Sequence, residues 1–433
     1  MRTRILFVLA LVAVMVLAAC CPPVATPEPT KETAVEPTKE TAAEPTKETA
    51  AEPTEAPPAE EYECTDEWGC ATFAPGEKIK LGYVGPMTGD YAAFGTDISR
   101  GVELAVKYHG PVMGFEIEVV IEDTQGSPEQ GAAVANKFAA DPMIVAVVGH
   151  TFSGSTEVAI PIYQDAGIVM MSPSATNPSL VEIGSDVFNR VAFTDQMQGE
   201  FAANYIYNTL GVTKIAVMHD GGAYGQGLAE IAAAAFEALG GEVVASEAIT
   251  PGETDYSAPL AAIAASEPEL IYYGGYDADA AVLVSQMAAA GLGDAMFFGC
   301  DGTYGVKYIE LAGDASEGTF STYVPIPESD AFTKFQEDYL ADYGEEQGTL
   351  SPFSPHGHDS AAVLLAAMDE VAVMDGDNLV IPRKALADAV RGTTSFEGLT
   401  GTITCSAEGE CAAAAILFMK VVDGEWVPGP GQE

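Results

Sequence analysis

The chain has 433 residues, 64 acidic and 18 basic, and its formal net charge at pH 7 is -46. A negative surplus of this size disfavours nucleic acids and anionic membrane surfaces as partners. The length exceeds what one compact core usually holds, so we expect two domains of ordinary size.

The chain begins MRTRILFVLALVAVMVLAACC, two arginines followed by an apolar run and two cysteines. The run is too short for a typical membrane-spanning helix and is typical of an export signal. Its ending, Leu-Ala-Ala-Cys, resembles a bacterial lipobox. That resemblance implies a signal peptide at 1–19 and a lipid on Cys20; an ordinary secretory signal is the alternative. We therefore expect an extracytoplasmic protein, lipid-anchored to the cell membrane on its outer face or in the periplasm.

Residues 20–62 are dominated by an eight-residue unit, EPTKETA plus one residue, that occurs three times and then degrades. The segment is rich in proline and charge and has few groups that could form a core. Its composition predicts a disordered tether between the anchor and the folded part.

Two cysteine pairs are each separated by six positions, Cys64 with Cys70 and Cys405 with Cys411. Outside the cytoplasm, close pairs of this kind predict disulfides. The first would staple a short lead-in at 63–77, and the second would staple a hairpin. A four-cysteine zinc site is the alternative, which the spacing and the export signal disfavour, so we expect no metal.

From residue 78 onward, short apolar runs alternate with amphipathic stretches. KIKLGYVG, FEIEVVIED, MIVAVVG and IVMMS predict a first series of strands, and KIAVMHD, EVVASEAI, LIYYGGY and MFFGCDG predict a second. Strands that alternate with helices of ten to fifteen residues indicate βαβ units. The sequence therefore predicts an α/β fold with two Rossmann-like lobes, each built on a parallel sheet.

Polar and aromatic side chains follow several of these strands. Ligands of open parallel sheets bind outside the carboxyl ends of the strands, so these positions are candidate contacts. The first series offers hydroxyl groups and helix N-termini, and the second offers tyrosines and one carboxylate. The side chains concerned are Ser153, Ser174, Thr176, Tyr224, Tyr276 and Asp301.

The two sets of side chains suit opposite charges. Hydroxyl groups and a helix N-terminus favour an anion, whereas an ionised Asp301 accepts hydrogen bonds and favours a cation. Phe94 and the tyrosines can surround an apolar side chain. A ligand with a carboxylate, a neighbouring ammonium and an apolar side chain is an α-amino acid.

From Lys78 to Trp426 the chain resembles the type I periplasmic binding proteins of ABC importers, above all those that bind leucine, isoleucine and valine. The motifs that carry the resemblance are KIKLGYVGPMTGDYAAFG, VVGHTFSGSTEVAIPIYQDAGIVMMSPSATNPSL, AVMHDGGAYGQGLA, ITPGETDYSAPL and IYYGGYDADAAVLVSQMAAAGL. The family's partners are permease and ATPase subunits, and we expect a monomer that binds an amino acid and delivers it to them.

The resemblance implies two lobes that close over a ligand in the cleft between them. Lobe 1 would comprise 78–193 plus 325–400, and lobe 2 would comprise 194–324 plus 401–428. Three crossovers would join them, and we place these at Phe193–Thr194, Tyr323–Pro325 and Leu399–Gly401.

The resemblance also implies roles for individual residues. Ser153 would bind the ligand carboxylate, Tyr224 would close over the ligand, and Asp301 would bind the ammonium. Asp301 stands where the branched-chain binders typically have Glu, which keeps the charge on a shorter side chain. The complete set of implied contacts is Phe94, Ser153, Ser174, Ala175, Thr176, Tyr224, Tyr276 and Asp301.

Each of these residues also has a simpler interpretation. Ser153 could be a helix cap, Tyr276 could belong to the core, and Asp301 could be a turn residue. The pair His356 and His358 could suggest a metal, but a helix start capped near Asp359 is favoured.

The chain lacks the G-x-S-x-G, H-E-x-x-H, P-loop and dinucleotide-binding motifs, so we expect neither catalysis nor a cofactor. Two alternatives keep the fold. The protein could bind another solute, such as an amide, urea or an aromatic acid, or it could act as a ligand sensor. A ligand without an ammonium would leave Asp301 desolvated and unpaired, which is costly.

Overall fold

The computed structural model of the protein describes residues 62–183, 185–412 and 415–432. The predicted signal peptide, Cys20 and all but the last residue of the predicted tether lie outside these ranges. Among the helices of the described residues, none combines the length and apolar character that crossing a membrane requires.

Strands and helices alternate along most of the described chain. The strands are β1 (Cys70–Phe73), β2 (Ile79–Gly85), β3 (Ile117–Asp123), β4 (Ile144–Val148), β5 (Val169–Ser172), β6 (Phe188–Arg190), β7 (Lys214–His219), β8 (Glu242–Ala248), β9 (Leu270–Gly274), β10 (Met296–Phe298), β11 (Phe320–Tyr323), β12 (Val373–Asp375), β13 (Asn378–Pro382), β14 (Phe396–Gly398), β15 (Gly401–Ile403), β16 (Leu417–Val422) and β17 (Glu425–Pro428). The helices are α1 (Ala92–His109), α2 (Pro128–Ala139), α3 (Ser153–Ala166), α4 (Ser179–Glu182), α5 (Asp195–Asn204), α6 (Ala223–Ala238), α7 (Ser257–Ala264), α8 (Asp277–Met287), α9 (Val306–Ala312), α10 (Asp330–Tyr343), α11 (Ser354–Val371) and α12 (Arg383–Arg391).

Two sheets organise this part of the chain. The first has the order β3-β2-β4-β5-β6, and all of its strands are parallel. The second has the order β17-β16-β11-β10-β9-β7-β8, in which β7 to β11 are parallel and β16 and β17 add an antiparallel edge. The parallel strands follow the same order in both sheets, β3-β2-β4-β5-β6 in the first and β8-β7-β9-β10-β11 in the second. The predicted fold with two Rossmann-like lobes is therefore confirmed.

The central strands lie between apolar layers on both faces of each sheet. Every residue of β4 and of β9 is buried. Strands buried on both sides are continuous apolar runs rather than alternating ones, which is why IVAVV and LIYYG stand out in the sequence. Separate apolar clusters cover the two faces of the first sheet and the two faces of the second.

The lead-in at 63–77 is part of lobe 1 rather than a separate segment. Its strand β1 pairs antiparallel with β13 in a three-stranded sheet with β12. Phe73 is fully buried in the apolar cluster of lobe 1. The lead-in also carries the Cys64–Cys70 disulfide.

The third crossover lies further along the chain than the predicted Leu399–Gly401. Those residues form the tight turn of the antiparallel hairpin β14–β15. Asp359 holds this turn, because its carboxylate accepts the main-chain N–H groups of Leu399 at 2.9 Å and Thr400 at 2.8 Å. Ile403 and Cys411 are buried in the lobe 1 cluster, so the chain leaves lobe 1 only after Cys411.

Asp359 also corrects a second prediction. We placed a helix start near it, but α11 begins at Ser354, and Asp359 lies inside the helix. Its side chain therefore does not cap α11 and instead fixes the neighbouring hairpin.

Phe193, Val324 and Ile416 form a small apolar cluster of their own. Each lies on a different passage of the chain between the two sheets. We use lobe 1 for the part built on the first sheet and lobe 2 for the part built on the second. The Cys405–Cys411 disulfide closes a turn just before the third passage, in which the Ser406 N–H donates to the Glu410 carbonyl at 2.8 Å.

Three buried carboxyl groups make the stability of the fold depend on pH. Burial raises the pKa of Asp97, Asp220 and Asp277 to about 6 in each case. These values exceed the usual value of roughly 3.9 in an unfolded chain, so the folded protein binds these protons more tightly. The stability contributed by the neutral carboxyls is complete below about pH 4 and is lost as the pH rises through about 6.

We therefore expect Asp277→Asn to raise the free energy of unfolding at pH 7.5 by about 1–3 kcal/mol and to change it little at about pH 3.5. The Asp277 Oδ1 accepts the Ala278 N–H at 2.9 Å, and an asparagine keeps that bond. Urea unfolding at the two pH values measures the effect, with Asp294→Asn, an exposed position of the same lobe, as the control. An equal change at both pH values would contradict the assignment.

Candidate ligand-binding site

A small cleft lies where the carboxyl ends of strands from the two sheets face each other. The space between its lining atoms amounts to about 280 Å³ when the part open to solvent is included. Loops after β4 and β5 form one wall, and loops after β7, β9 and β10 form the other. The lining residues are Phe94, Phe152, Ser153, Ser174, Tyr224, Tyr276, Asp301, Gly302 and Phe353. Six of the eight predicted contacts therefore lie on one cleft.

The lobe 1 wall presents the first turn of α3. Ser153 begins this helix but makes no capping hydrogen bond within it, so the interpretation of Ser153 as a helix cap is wrong. Its Oγ instead accepts the Asn177 N–H at 3.3 Å, and the Ser174 hydroxyl donates to the Thr151 carbonyl at 2.7 Å. These bonds join the two hydroxyl loops into one wall that suits an anion, because the N-terminus of α3 carries partial positive charge.

Ala175 and Thr176 lie behind this wall and do not line the cleft. The Ala175 methyl packs in an apolar cluster of lobe 1, and its N–H donates to the Ser172 Oγ at 3.0 Å. The Thr176 hydroxyl is buried and has no hydrogen-bond partner among the described residues. In this arrangement Ala175 supports the loop, and Thr176 keeps an uncommitted polar group next to the cleft.

The lobe 2 wall is centred on a buried carboxylate. Asp301 is 5% exposed and accepts hydrogen bonds from the Tyr224 hydroxyl at 2.5 Å and from the Gln198 amide at 2.7 Å. No lysine or arginine of the described chain forms an ion pair with it. Burial raises the pKa of Asp301, and the two hydrogen bonds oppose that rise. A cation that entered the cleft would supply the missing countercharge.

A second buried carboxyl, Asp195, lies close enough to Asp301 for their charges to interact. Burial first and then the Asp301 charge raise the pKa of Asp195 well above its usual value, while Thr176 and Arg190 lower it. Although the Thr176 hydroxyl is near, neither Asp195 oxygen has a well-formed hydrogen bond in the described part of the chain. The pKa of Asp195 is raised more strongly than that of Asp301, so Asp195 is the member of the pair that binds a proton more readily.

Aromatic rings form the apolar part of the cleft. The Tyr276 ring lies 4.4 Å from that of Phe152, 5.3 Å from that of Tyr224 and 6.1 Å from that of Phe94, measured between centroids. Tyr276 therefore packs against other rings and also lines the cleft, which combines the two interpretations of this residue. Asp301 likewise opens a short 3-10 turn through Thr303, but its side chain lies in the cleft.

Sequence reasoning missed four residues of this region. Phe152 lies inside the hydroxyl loop and Phe353 precedes α11, and both line the cleft. Asp195 and Gln198 lie one helical turn apart at the start of α5, directly after the first passage between the lobes. The sequence shows that these two polar residues share one face of a short helix. Only the fold shows that this face is buried.

The two lobes touch across the cleft. The Asn177 side-chain amide of lobe 1 donates to the Ala223 carbonyl of lobe 2. Tyr91 of lobe 1 donates to the Asp279 carboxylate of lobe 2 at 3.4 Å. These contacts are those of a closed arrangement, in which the cleft is shielded from solvent.

The chain forms two α/β lobes joined by three passages, with a small cleft between them that aromatic and polar side chains line. This arrangement defines a class of protein that encloses small solutes by closing its lobes. Residues 78–425 match the periplasmic binding protein family. The chain belongs to this family.

Several known proteins are similar to this chain. The leucine-, isoleucine-, valine-, threonine- and alanine-binding protein of Pseudomonas aeruginosa is 32% identical over 77% of this chain and 87% of its own length. A Leu/Ile/Val-binding protein homolog of Brucella abortus is 38% identical over 57% of this chain, but the match spans only 66% of that relative. A leucine binding protein from Thermotoga maritima has a similar solved structure, with a TM-score of 0.73, 28% identity and coverage of 81% of this chain and 97% of its own.

Gln198 connects Asp301 to the rest of lobe 2. Its Oε1 accepts the Asp301 N–H at 3.0 Å and the Thr322 hydroxyl, while its amide donates to the Asp301 carboxylate. Gln198→Ala leaves these buried groups without partners, so we expect a loss of about 1–3 kcal/mol in the free energy of unfolding. Chemical denaturation without ligand measures this loss. Gln196→Ala, an exposed position of the same helix, is the control, and similar losses for both variants would refute the role of Gln198.

Proposed function

We propose that the protein captures an α-amino acid with an aliphatic side chain, such as leucine, isoleucine or valine, and delivers it to the permease of an ABC importer. The observation that carries this proposal is the buried Asp301, which has no cationic partner in the described chain and faces a wall of hydroxyl groups and a helix N-terminus. An amino acid supplies both charges, a carboxylate for the hydroxyl wall and an ammonium for Asp301.

The carboxylate of the ligand would bind at the lobe 1 wall. Ser153 Oγ lies at the first turn of α3, and the free Thr176 hydroxyl is close behind it. Hydrogen bonds from neutral donors to a charged acceptor are worth about 1.5–3 kcal/mol each. We propose that they hold this end without a basic residue, because the cleft has no lysine or arginine in its lining.

The ammonium would bind at Asp301, and the side chain would lie among the rings of Phe94, Phe152, Phe353 and Tyr276. The rings pack closely around this narrow cleft, which favours a small ligand. The absence of a basic residue from the lining disfavours a second carboxylate, as in glutamate. The names of the relatives, which bind leucine and other small amino acids, support the same choice.

The protein would perform no chemistry itself. Its partners would be the permease and ATPase subunits. A monomer with closed lobes would dock on the permease from outside the cytoplasm. The family implies an extracytoplasmic location. The signal peptide, the lipid on Cys20 and the tether remain proposals, and they would hold the receptor near its permease.

Calorimetry with the full-length protein tests this function. The bound ligand is first removed by unfolding and refolding. We expect L-leucine to bind and 4-methylpentanoate, which lacks the ammonium, and 3-methylbutylamine, which lacks the carboxylate, to bind at least about thirtyfold more weakly, since an unpaired buried charge costs roughly 2–5 kcal/mol. Asp301→Asn should weaken leucine binding to a similar degree while Asp294→Asn should not.

Binding of the deaminated acid as tightly as leucine would remove Asp301 from the site. If neither leucine nor 4-methylpentanoate binds, the choice of a branched-chain amino acid is refuted. Amides, urea and aromatic acids would then be the next ligands to measure. Unchanged leucine affinity in Asp301→Asn would contradict the proposed ammonium site even if leucine binds.

A further inference from the structure

Arg190 is the most deeply buried basic side chain near the cleft, yet it does not line the cleft. Its side chain has no exposed surface. Its Nη1 donates to the carbonyl oxygens of Ala175 at 3.0 Å and of Asn177 at 2.8 Å. These carbonyls belong to the loop 174–177, which carries Ser174 and Thr176. Arg190 therefore holds the back of the proposed carboxylate-binding loop.

The other side of the guanidinium is paired with one carboxylate. Arg190 Nε donates to Glu410 Oε2 at 2.7 Å, and Nη2 donates to Glu410 Oε1 at 2.5 Å. This is a bidentate pair, the geometry that fixes a guanidinium most firmly. A buried guanidinium that loses its carboxylate remains as an uncompensated charge, which is strongly unfavourable. The position of Glu410 thus determines where Arg190, and with it the loop 174–177, can lie.

Glu410 itself lies in the tight turn that the Cys405–Cys411 disulfide closes. On either side of Glu410, the main chain bonds to Arg190. The Arg190 N–H donates to the Gly409 carbonyl, and the Cys411 N–H donates to the Arg190 carbonyl, each at 2.9 Å. The Glu410 side chain is about one-third exposed, so the closed turn, rather than surrounding packing, keeps it in place.

The same elements adjoin the passages between the lobes. Arg190 precedes Phe193 by three positions, and Cys411 precedes Ile416 by five. Phe193 and Ile416 meet in the apolar cluster at these passages. In addition, the Asp195 N–H donates to the Thr176 carbonyl at 3.0 Å. The loop 174–177 is therefore attached to both the disulfide-closed turn and the first passage.

We propose that Arg190 and Glu410, presented by the disulfide-closed turn 405–411, form a brace that positions the loop 174–177 for binding of the ligand carboxylate. Both are positioning residues, because neither lines the cleft. The proposal rests on the proposed function in one respect, that a ligand carboxylate binds at this loop. The brace makes ligand affinity depend on a disulfide that lies outside the cleft.

The test compares three variants with the unchanged full-length protein by calorimetry. The ligands are L-leucine and leucinamide, in which a neutral amide replaces the carboxylate. Glu410→Gln keeps the shape of the side chain and removes its charge. Cys405→Ser with Cys411→Ser opens the turn, and Cys64→Ser with Cys70→Ser removes the other disulfide of equal spacing as the control. We expect the first two variants to bind leucine about tenfold more weakly and to bind leucinamide nearly as the unchanged protein does.

A purely structural role would lower the unfolding temperature of these variants but leave both affinities, and their ratio, unchanged. That result would overturn the brace. Because Cys411 is buried, its replacement can reduce the yield of folded protein, and Glu410→Gln then carries the test alone. Glu410→Asp, which restores the charge, should recover part of the lost leucine affinity.

A ligand-independent measurement separates this proposal from the proposed function. If the unchanged protein does not bind leucine, the function is wrong, and amide hydrogen exchange of a peptide covering 172–178 still tests the brace. We expect exchange in this peptide to be at least about tenfold faster in Glu410→Gln than in the unchanged protein, and unchanged in the Cys64→Ser, Cys70→Ser control. Equal exchange in all three would contradict the brace.

Discussion

The burial of a carboxylate without a cation is the constraint around which the cleft is built. Asp301 lies at the carboxyl edge of the lobe 2 sheet, where two neutral donors, Tyr224 and Gln198, replace part of its lost hydration. Neutral hydrogen bonds offset only part of the cost of burying a charge. The remaining cost favours any bound group that brings a positive charge. Its own burial first, and then the Asp301 charge, raise the pKa of the neighbouring Asp195.

Basic residues are few in this chain, and several arginines with little exposed surface bind main-chain carbonyl oxygens. Three arginines of lobe 1 donate to main-chain carbonyls at or next to the ends of strands in its sheet. Arg383 binds the carbonyls of Pro142, before β4, and of Ile144, its first residue, and Arg391 binds that of Phe188 at the start of the edge strand β6. Arg190 does the same for the loop after β5. A planar guanidinium suits this task because it offers several donors in fixed directions.

Much of the fold and part of the cleft could be predicted from the sequence. Strands such as IVAVV are continuous apolar runs because they are covered on both faces, and the polar residues after them must share one edge of a sheet. This reasoning selected Ser153, Ser174, Tyr224 and Asp301, and in the structure these four residues line a single cleft. It also predicted a parallel sheet in each lobe.

The errors came from features that depend on tertiary packing. Gln198 donates to Asp301, a residue 103 positions further along the chain, and no local pattern specifies such a contact. The family resemblance puts a passage between the lobes at Leu399–Gly401, but Asp359 of α11 holds Leu399 and Thr400 in a hairpin turn. The same resemblance implies a ligand contact at Ala175, and in the structure its methyl packs and its N–H bonds within lobe 1.

A crystal structure of the protein with L-leucine tests the account most directly. We predict the leucine nitrogen within about 3 Å of an Asp301 carboxylate oxygen, the distance of a charge-assisted hydrogen bond. The leucine carboxylate should lie at Ser153 Oγ and the first turn of α3, with the side chain against Tyr276 and Phe94. A leucine bound in the reverse direction, with its carboxylate toward lobe 2, or bound outside this cleft, would contradict the central claim.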